Sequence, residues 1–260
     1  MNYKFIQNVQ IDWTKVGEYS YIRDIPALQF EEALVFEKNI TFFVGENGTG
    51  KSTLLEAIAV AYGFNPEGGS KNYNFSTYDS HSNLHEAIRL GKGAYKPEWS
   101  YFLRAESFYN VATKEEEYSD WAHPSQEYHK KSHGESFLAL AQSSFRPNGL
   151  YLLDEPEAAL SPQRQLTLMI EMHKLAQNGA QFIVATHSPI LLGIPDAQIL
   201  SFDDGVIHEC EYTETNSYQV TEMFINNREY LLKRLLQEYK LNISERNHRF
   251  SCGFFLYYPL

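Results

Sequence analysis

Apolar positions fall in short runs in the first half of this 260-residue chain and in a regular strand and helix alternation in the second. Ile40-Thr41-Phe42-Phe43-Val44 is a near-continuous apolar run, the mark of a strand buried on both faces, and Leu54 to Ala61 reads as a helix after it. Phe5 to Ile11 and Ala27 to Phe36 read as earlier strands, so a mixed sheet is predicted to feed a central parallel strand. Asn65 to Asn72, polar and glycine-rich, predicts a loop; Leu84 to Leu90 fits strand or helix; Trp99 to Glu106 predicts a strand. Ser107 to His129 is polar and aromatic, with helical pieces. From His133 the pattern is a helix through Glu135 to Phe145, a strand Leu150 to Leu153, a helix Pro162 to Gln177 and a strand Gln181 to Ala185. That alternation predicts an α/β fold with a parallel sheet flanked by helices. Ile199 to Phe202 and Val206 to Cys210, split by Asp203-Asp204-Gly205, predict a hairpin, and Val220 to Tyr239 predicts a charged amphipathic helix.

The expected organisation is one domain of two lobes over residues 1–240, followed by a tail, 241–260, that is either a docking segment or a poorly ordered end. No internal repeat or heptad run interrupts it. Cys210 and Cys252 form no C-x-x-C or Cys/His cluster, which points away from zinc and disulfides and toward a reducing cytoplasm. The N-terminus lacks the basic and apolar regions of a secretory leader, and no run of eighteen apolar residues occurs, so neither secretion nor a transmembrane segment is expected. The net charge of −11 is the wrong sign for a protein that coats itself with nucleic acid, though it leaves room for a local basic patch.

Chemistry concentrates at a few places. Gly45-Glu46-Asn47-Gly48-Thr49-Gly50-Lys51-Ser52-Thr53 fits G-x-x-x-x-G-K-[ST] between a strand and a helix, the pattern of a phosphate-binding loop. Glycines let successive N–H groups curl around a phosphate while the helix dipole points at it; Lys51 reaches the β- and γ-phosphates, and Ser52 offers Mg²⁺ a hydroxyl. ATP and Mg²⁺ are therefore the expected ligands. Tyr151-Leu152-Leu153-Asp154-Glu155-Pro156 is an apolar strand ending in two acids: Asp154 is placed to hold Mg²⁺ and Glu155 to deprotonate an attacking water. His187 directly follows another apolar strand, where a parallel sheet gathers its ligand, and is a candidate sensor of the γ-phosphate. Lys131-Ser132-His133-Gly134-Glu135 opens an apolar helix; it can bind an anion or serve as a plain N-cap.

These four elements, in this order and spacing, resemble the head domain of ABC-type ATPases, most closely the RecF/SMC/OLD-like branch of soluble AAA-family ATPases, over about residues 20 to 210. The resemblance implies a P-loop NTPase fold with a mainly parallel central sheet and an additional antiparallel N-terminal β lobe. It also implies an ATP-sandwiched homodimer in which Ser132 and Gly134 contact nucleotide held at Lys51 of a second copy, with Glu157 to Pro162 as the dimer-communication loop. Two departures stand out. The transporter signature Leu-Ser-Gly-Gly-Gln is replaced by Lys131-Ser132-His133-Gly134-Glu135, and no glutamine follows the middle strand, where Glu106 is either the Mg²⁺ ligand or the partner of a neighbouring Arg in a salt bridge. Tyr21 stands where the family stacks an aromatic on adenine. The expected function is a soluble Mg²⁺-dependent ATPase that drives or gates a protein partner or DNA, in DNA repair or defence against foreign DNA. The alternatives are the nucleotide-binding subunit of a membrane transporter and a regulatory module that binds nucleotide without turnover.

Overall fold

A computed structural model describes residues 4–70, 82–104 and 133–246. The chain divides into two compact units, Met1–Ser217 and Tyr218–Leu260. In the first, strand β1 (Ile6–Ile11) leads through two short 3₁₀ turns to β2 (Leu34–Val35) and β3 (Ile40–Val44), and the phosphate-loop segment then opens helix α1 (Lys51–Tyr62). An edge strand β4 (Gly69–Ser70), helix α2 (Leu84–Ala87), β5 (Ile88–Lys92) and β6 (Trp99–Arg104) follow. The second half runs α3 (His133–Ser144), β7 (Gly149–Asp154), α4 (Pro162–Gln177), β8 (Gln181–Ala185), α5 (Pro189–Leu192), β9 (Gln198–Ser201) and β10 (His208–Glu209).

Seven strands form one sheet in the order β10-β9-β3-β8-β7-β6-β4, in which β9, β3, β8, β7 and β6 run parallel and the two edges antiparallel. A second, antiparallel sheet has the order β2-β1-β5. Both faces of the central sheet are covered, and successive residues of its strands alternate between two cores. Ile183, Leu152 and Phe43 pack on one side with α1 and the antiparallel sheet; Val184, Leu153 and Phe42 pack on the other with Phe137 of α3 and Leu168 and Met172 of α4. This is why the strands read as unbroken apolar runs rather than as alternation.

Two buried glutamines tie the sheets together. The Gln181 side-chain carbonyl accepts from the Phe5 and Ile6 amides at 2.8 and 2.9 Å, and its NH₂ donates to the Ile6 carbonyl at 2.7 Å. Gln198 does the same work beside it, accepting from the Glu37 amide and the Thr41 hydroxyl and donating to the Val35 carbonyl. Both are polar residues at the start of strands, where the ends of the antiparallel lobe leave main-chain groups that need partners away from water.

The β3, α4 and β8 boundaries agree with those read from the sequence, and the ambiguous stretch Leu84 to Leu90 is both things in turn, one helical turn and then a strand. The predicted strand Ala27 to Phe36 is not one. Pro26 locks the start of a 3₁₀ turn, Pro26–Leu28, whose Ala27 and Leu28 are buried, and only Leu34–Val35 pairs with β1. Part of the expected glycine-rich loop pairs as β4 with Tyr101 and Phe102. The hairpin after Gln198 forms, with a 3₁₀ turn at Asp203–Gly205. Helix α6 (Asn216–Arg246) extends the predicted helix at both ends and kinks at Asn227. In the second unit it exposes Val220, Phe224, Ile225, Tyr230, Leu235 and Leu236. Residues 247–260 of the predicted tail lie outside the described residues.

Replacing Gln181 with Leu keeps the volume but strips the Phe5 and Ile6 amides of their partner. At about 1–3 kcal/mol for each buried donor left unsatisfied, urea unfolding should show a loss of about 2–4 kcal/mol; an unchanged midpoint would remove the tether from the account of the fold.

Candidate functional site

The site is assembled at the C-terminal edge of the parallel sheet. β3 ends at Val44, and the turn that follows crosses to α1 with positive φ at Gly45 (138°) and Gly50 (100°). Both positions need glycine for space as well as conformation: a Cβ on Gly50 would lie 2.8 Å from Ile25 Cγ2, and one on Gly45 would lie 3.0 Å from Asp203 Oδ1. Gly50 offers α1 no side-chain cap, so the first amides of that helix keep their donors for an anion. Asn47 and Gly48 are exposed at the tip of the turn, Thr49 closes it by donating its hydroxyl to the Glu46 carbonyl at 2.9 Å, and Ser52 and Thr53 are half-buried.

Lys51 is only 4% exposed, and its ammonium folds back onto its own loop, donating to the carbonyls of Gly45 at 2.7 Å and Glu46 at 2.8 Å. Burial pushes its pKa below the usual lysine value, while the carboxylates of Glu155, Asp203, Asp154 and Glu46 oppose that shift. One cation among four carboxylates fits a site built to take a phosphate chain and a divalent metal together.

Ser52 donates its hydroxyl to Asp154 Oδ1 at 2.7 Å, so the two expected Mg²⁺ ligands are already in contact. The other oxygen of Asp154 faces Arg104, whose Nε is 3.7 Å away and whose Nη1 donates to Glu56 Oε2 at 2.7 Å and to the Pro66 carbonyl. Glu106 and Ser132 lie outside the described residues, so the ion pair that the structure does show at the end of the middle strand joins Arg104 to Glu56. Among the described residues no cluster of three or more His, Cys, Asp or Glu has the spacing of a metal cage. Mg²⁺ does not need one where phosphate oxygens and water complete its shell, and Ser52 with Asp154 are the residues that would supply the protein's share.

Glu155 follows directly, with φ 48° and ψ 50°, a left-handed conformation in a residue with a full side chain. That geometry costs about 1–2 kcal/mol and turns the carboxylate, 45% exposed, out of the strand. Across from it, the loop after β8 brings His187 Nε2 to 3.9 Å from Glu155 Oε1; this nitrogen is buried and has no hydrogen-bond partner among the described residues. A buried ring nitrogen without a partner, beside a carboxylate and the phosphate loop, fits a group that receives a ligand oxygen.

Gly134 lies elsewhere. It is buried on the chain's own turn after β7, where a Cβ would sit 2.8 Å from the Ala159 carbonyl and 2.6 Å from Arg164 Nη1, and Arg164 also pairs with Glu135 at 3.0 Å. Tyr21 opens a 3₁₀ turn and is 57% exposed; the residues that follow it, Ile25 and Leu28, pack against Gly50.

Sequence reasoning assigned no functional role to Asp203 or Glu56, and met Arg104 only as the neighbouring Arg offered to Glu106. Asp203 Oδ1 accepts the Glu46 amide at 2.8 Å and its Oδ2 accepts from Asn216 at 3.0 Å, pinning the phosphate loop from the side of β9. The available signal was position: Asp203 stands just past the end of the strand that pairs with β3 on the opposite side from β8. Among the described residues no helix is long and apolar enough to cross a membrane.

An AAA domain family matches residues 21–147, and a second family, "AAA domain, putative AbiEii toxin, Type IV TA system", matches residues 135–193. The chain is 33% identical over 84 residues to the "Retron Vc95 probable ATPase" of Vibrio cholerae serotype O1 biovar El Tor; that stretch is 32% of this chain and only 16% of the relative. Among solved structures it is similar to the SMC head domain from Thermotoga maritima (15% identity, TM-score 0.44, 80% of this chain and 99% of that one). It is likewise similar to CbiO1 from Clostridium perfringens, part of the ABC transporter complex CbiONQ (14% identity, TM-score 0.48, 88% and 99%).

Lys51→Ala removes an ammonium that would give two charge-assisted hydrogen bonds to phosphate. At about 1.5–3 kcal/mol each, ATP affinity should fall about a hundredfold or more by calorimetry; unchanged affinity would remove the phosphate-loop assignment. Glu155→Gly should abolish turnover yet leave the unfolding free energy from urea titration within about 1 kcal/mol of wild type, because relief of the left-handed strain offsets the extra chain entropy of glycine. A large loss of stability would show that the side chain, not the backbone, holds this turn.

Proposed function

We propose that this chain, which matches two AAA domain families over residues 21–147 and 135–193, is a P-loop ATPase of the ABC, SMC and RecF type that hydrolyses ATP to ADP and phosphate with Mg²⁺. The observation that carries the reading is the contact of Ser52 with Asp154 at 2.7 Å, with the Glu155 and His187 side chains 3.9 Å apart at the same sheet edge. Lys51 leaves its loop carbonyls for the phosphates, which supply better acceptors for the same ammonium. Ser52 and Asp154 would hold Mg²⁺, and the metal would supply positive charge against the phosphate oxygens. Glu155 accepts a proton from water as the water oxygen bonds to the γ-phosphorus and the bond to the β-phosphate oxygen breaks, and ADP departs. His187 Nε2 binds a γ-phosphate oxygen.

The same reading includes a homodimer closed over ATP, with the start of α3 and the turn 156–160 facing a second copy; its support is the order of motifs along the chain. In that dimer Ser132 would act on the partner's nucleotide and Glu106 would complete the Mg²⁺ site, while Gly134, covered by the chain's own Ala159 carbonyl and Arg164, would let the start of α3 pack on that turn. Work in defence against foreign DNA belongs to the same reading; what supports it is the toxin description of the second family and the retron relative.

Glu155→Gln keeps the volume and removes the base, so it should bind ATP while turnover falls at least about a hundredfold, within the usual worth of a general base. It should also accumulate as a dimer by light scattering with saturating ATP and Mg²⁺. A mutant that remains monomeric sinks the sandwich, and one that turns over at the wild-type rate sinks the base. Wild-type turnover measured with and without linear DNA at low salt then separates a DNA-driven enzyme from one whose partner is a protein.

A further inference from the structure

The loop that carries His187 is held by the turn after β7 through two side chains that the scheme above does not use. The Glu157 Oε1 accepts the His187 amide at 2.6 Å, a short charge-assisted bond. Gln165, from the first turn of α4, accepts the Ser188 hydroxyl on its Oε1 at 2.6 Å and donates its NH₂ to the Leu160 carbonyl at 3.0 Å. Ser188 in turn caps α5, accepting from the Ile190 and Leu191 amides. Residues 155–160 and 186–188 are therefore latched together on both sides of His187.

The latch is not the arrangement that stability alone would choose. Glu157 Oε2 is buried with no hydrogen-bond partner among the described residues, two residues from Glu155 in its left-handed conformation. A buried carboxylate with one oxygen unsatisfied and a strained backbone in the same turn are both costly, and such costs persist where geometry serves a task. Among the described residues His187 Nε2 has no hydrogen-bond partner either, and the bond that the latch makes to His187 is to its backbone amide.

We infer that Glu157 and Gln165 are positioning residues that fix His187 beside Glu155, so that the γ-phosphate is read only while the latch is closed. This rests on the proposed contact of His187 with the γ-phosphate. Because the latch touches nothing that ADP requires, opening it should change the preference for ATP over ADP rather than nucleotide binding as a whole.

The test is calorimetric binding of ADP and of a non-hydrolysable ATP analogue, each with Mg²⁺, to wild type, Glu157→Ala, Glu157→Gln, Gln165→Leu, His187→Ala and the Glu157→Ala/His187→Ala pair. His187→Ala should lose about tenfold in preference for the analogue over ADP, the worth of one hydrogen bond to a charged group. Glu157→Ala and Gln165→Leu should lose a similar preference with ADP affinity unchanged. Glu157→Gln, which keeps an acceptor oxygen for the amide, should recover most of it. The double mutant should lose no more than His187→Ala, since both act through one group. Equal weakening of ADP and analogue in Glu157→Ala and Gln165→Leu, or a full additive loss in the double mutant, overturns the positioning role while leaving His187 as the sensor. Retention of the preference in His187→Ala itself overturns the γ-phosphate reading, and the latch's purpose with it.

Discussion

Everything functional in this molecule depends on the register of one row of backbone pairs. Phe43 lies opposite Ala185, Ala185 opposite Asp154, Asp154 opposite Arg104, and Val44 opposite Ser201. Each strand ends within a residue or two of that row, so the phosphate loop, Asp154 and Glu155, His187 and Asp203 all start from one line across the sheet. Side chains alternate faces with a period of two, so a slip of one residue would bury Asp154 in the core or turn it away from Ser52. The two-sided apolar packing of β3, β7 and β8 is what forbids the slip, because Phe42 and Phe43, or Leu152 and Leu153, would exchange cores of different shape.

On that line charge is arranged before any ligand is considered. Glu46, Asp154, Glu155 and Asp203 surround a single buried ammonium, and Arg104 stands behind Asp154 with Glu56 as its own counter-ion. The surplus of carboxylate is tolerable because Asp203 has been assigned to the loop's own amide and to Asn216, and Asp154 to Ser52 and Arg104. Glu46 is exposed as well, but of the four only Glu155 has the left-handed backbone that turns its 45%-exposed carboxylate out of the strand beside His187, the environment suited to accepting a proton rather than to holding a structure together.

What the sequence made legible follows from what is local. The phosphate loop, the two acids after β7 and the histidine after β8 are strings of adjacent residues whose meaning comes from the strand before them, and the structure puts them at one edge. The strand expected over Ala27 to Phe36 failed because a proline-led turn answered to a tertiary demand, the packing of Ile25 and Leu28 on Gly50, that no local pattern announces. Gln181 and Gln198 were invisible for the same reason: each is a polar residue in an apolar run whose partners lie more than 150 positions away.

The residues that hold the site were the hardest to read, and the physics explains why. Lys51, Ser52 and Asp154 are proposed to meet a ligand, whose chemistry would dictate their type; among the described residues Glu157, Gln165 and Asp203 meet amides, carbonyls and hydroxyls, which several side chains could satisfy. A supporting residue is recognised only when its geometry is known, as when Glu157 is found with one oxygen on the His187 amide and the other buried without a partner. The turn 155–160 thus carries both the proposed base and the hold on the proposed sensor: Glu155 is bonded through its amide to the Ala185 carbonyl, and two residues later Glu157 accepts the His187 amide. Movement of that turn cannot leave the loop after β8 behind. Glu155 and His187, proposed to act on one phosphate, are in this way kept in step by the Glu155 amide on the Ala185 carbonyl and by the Glu157 carboxylate on the His187 amide.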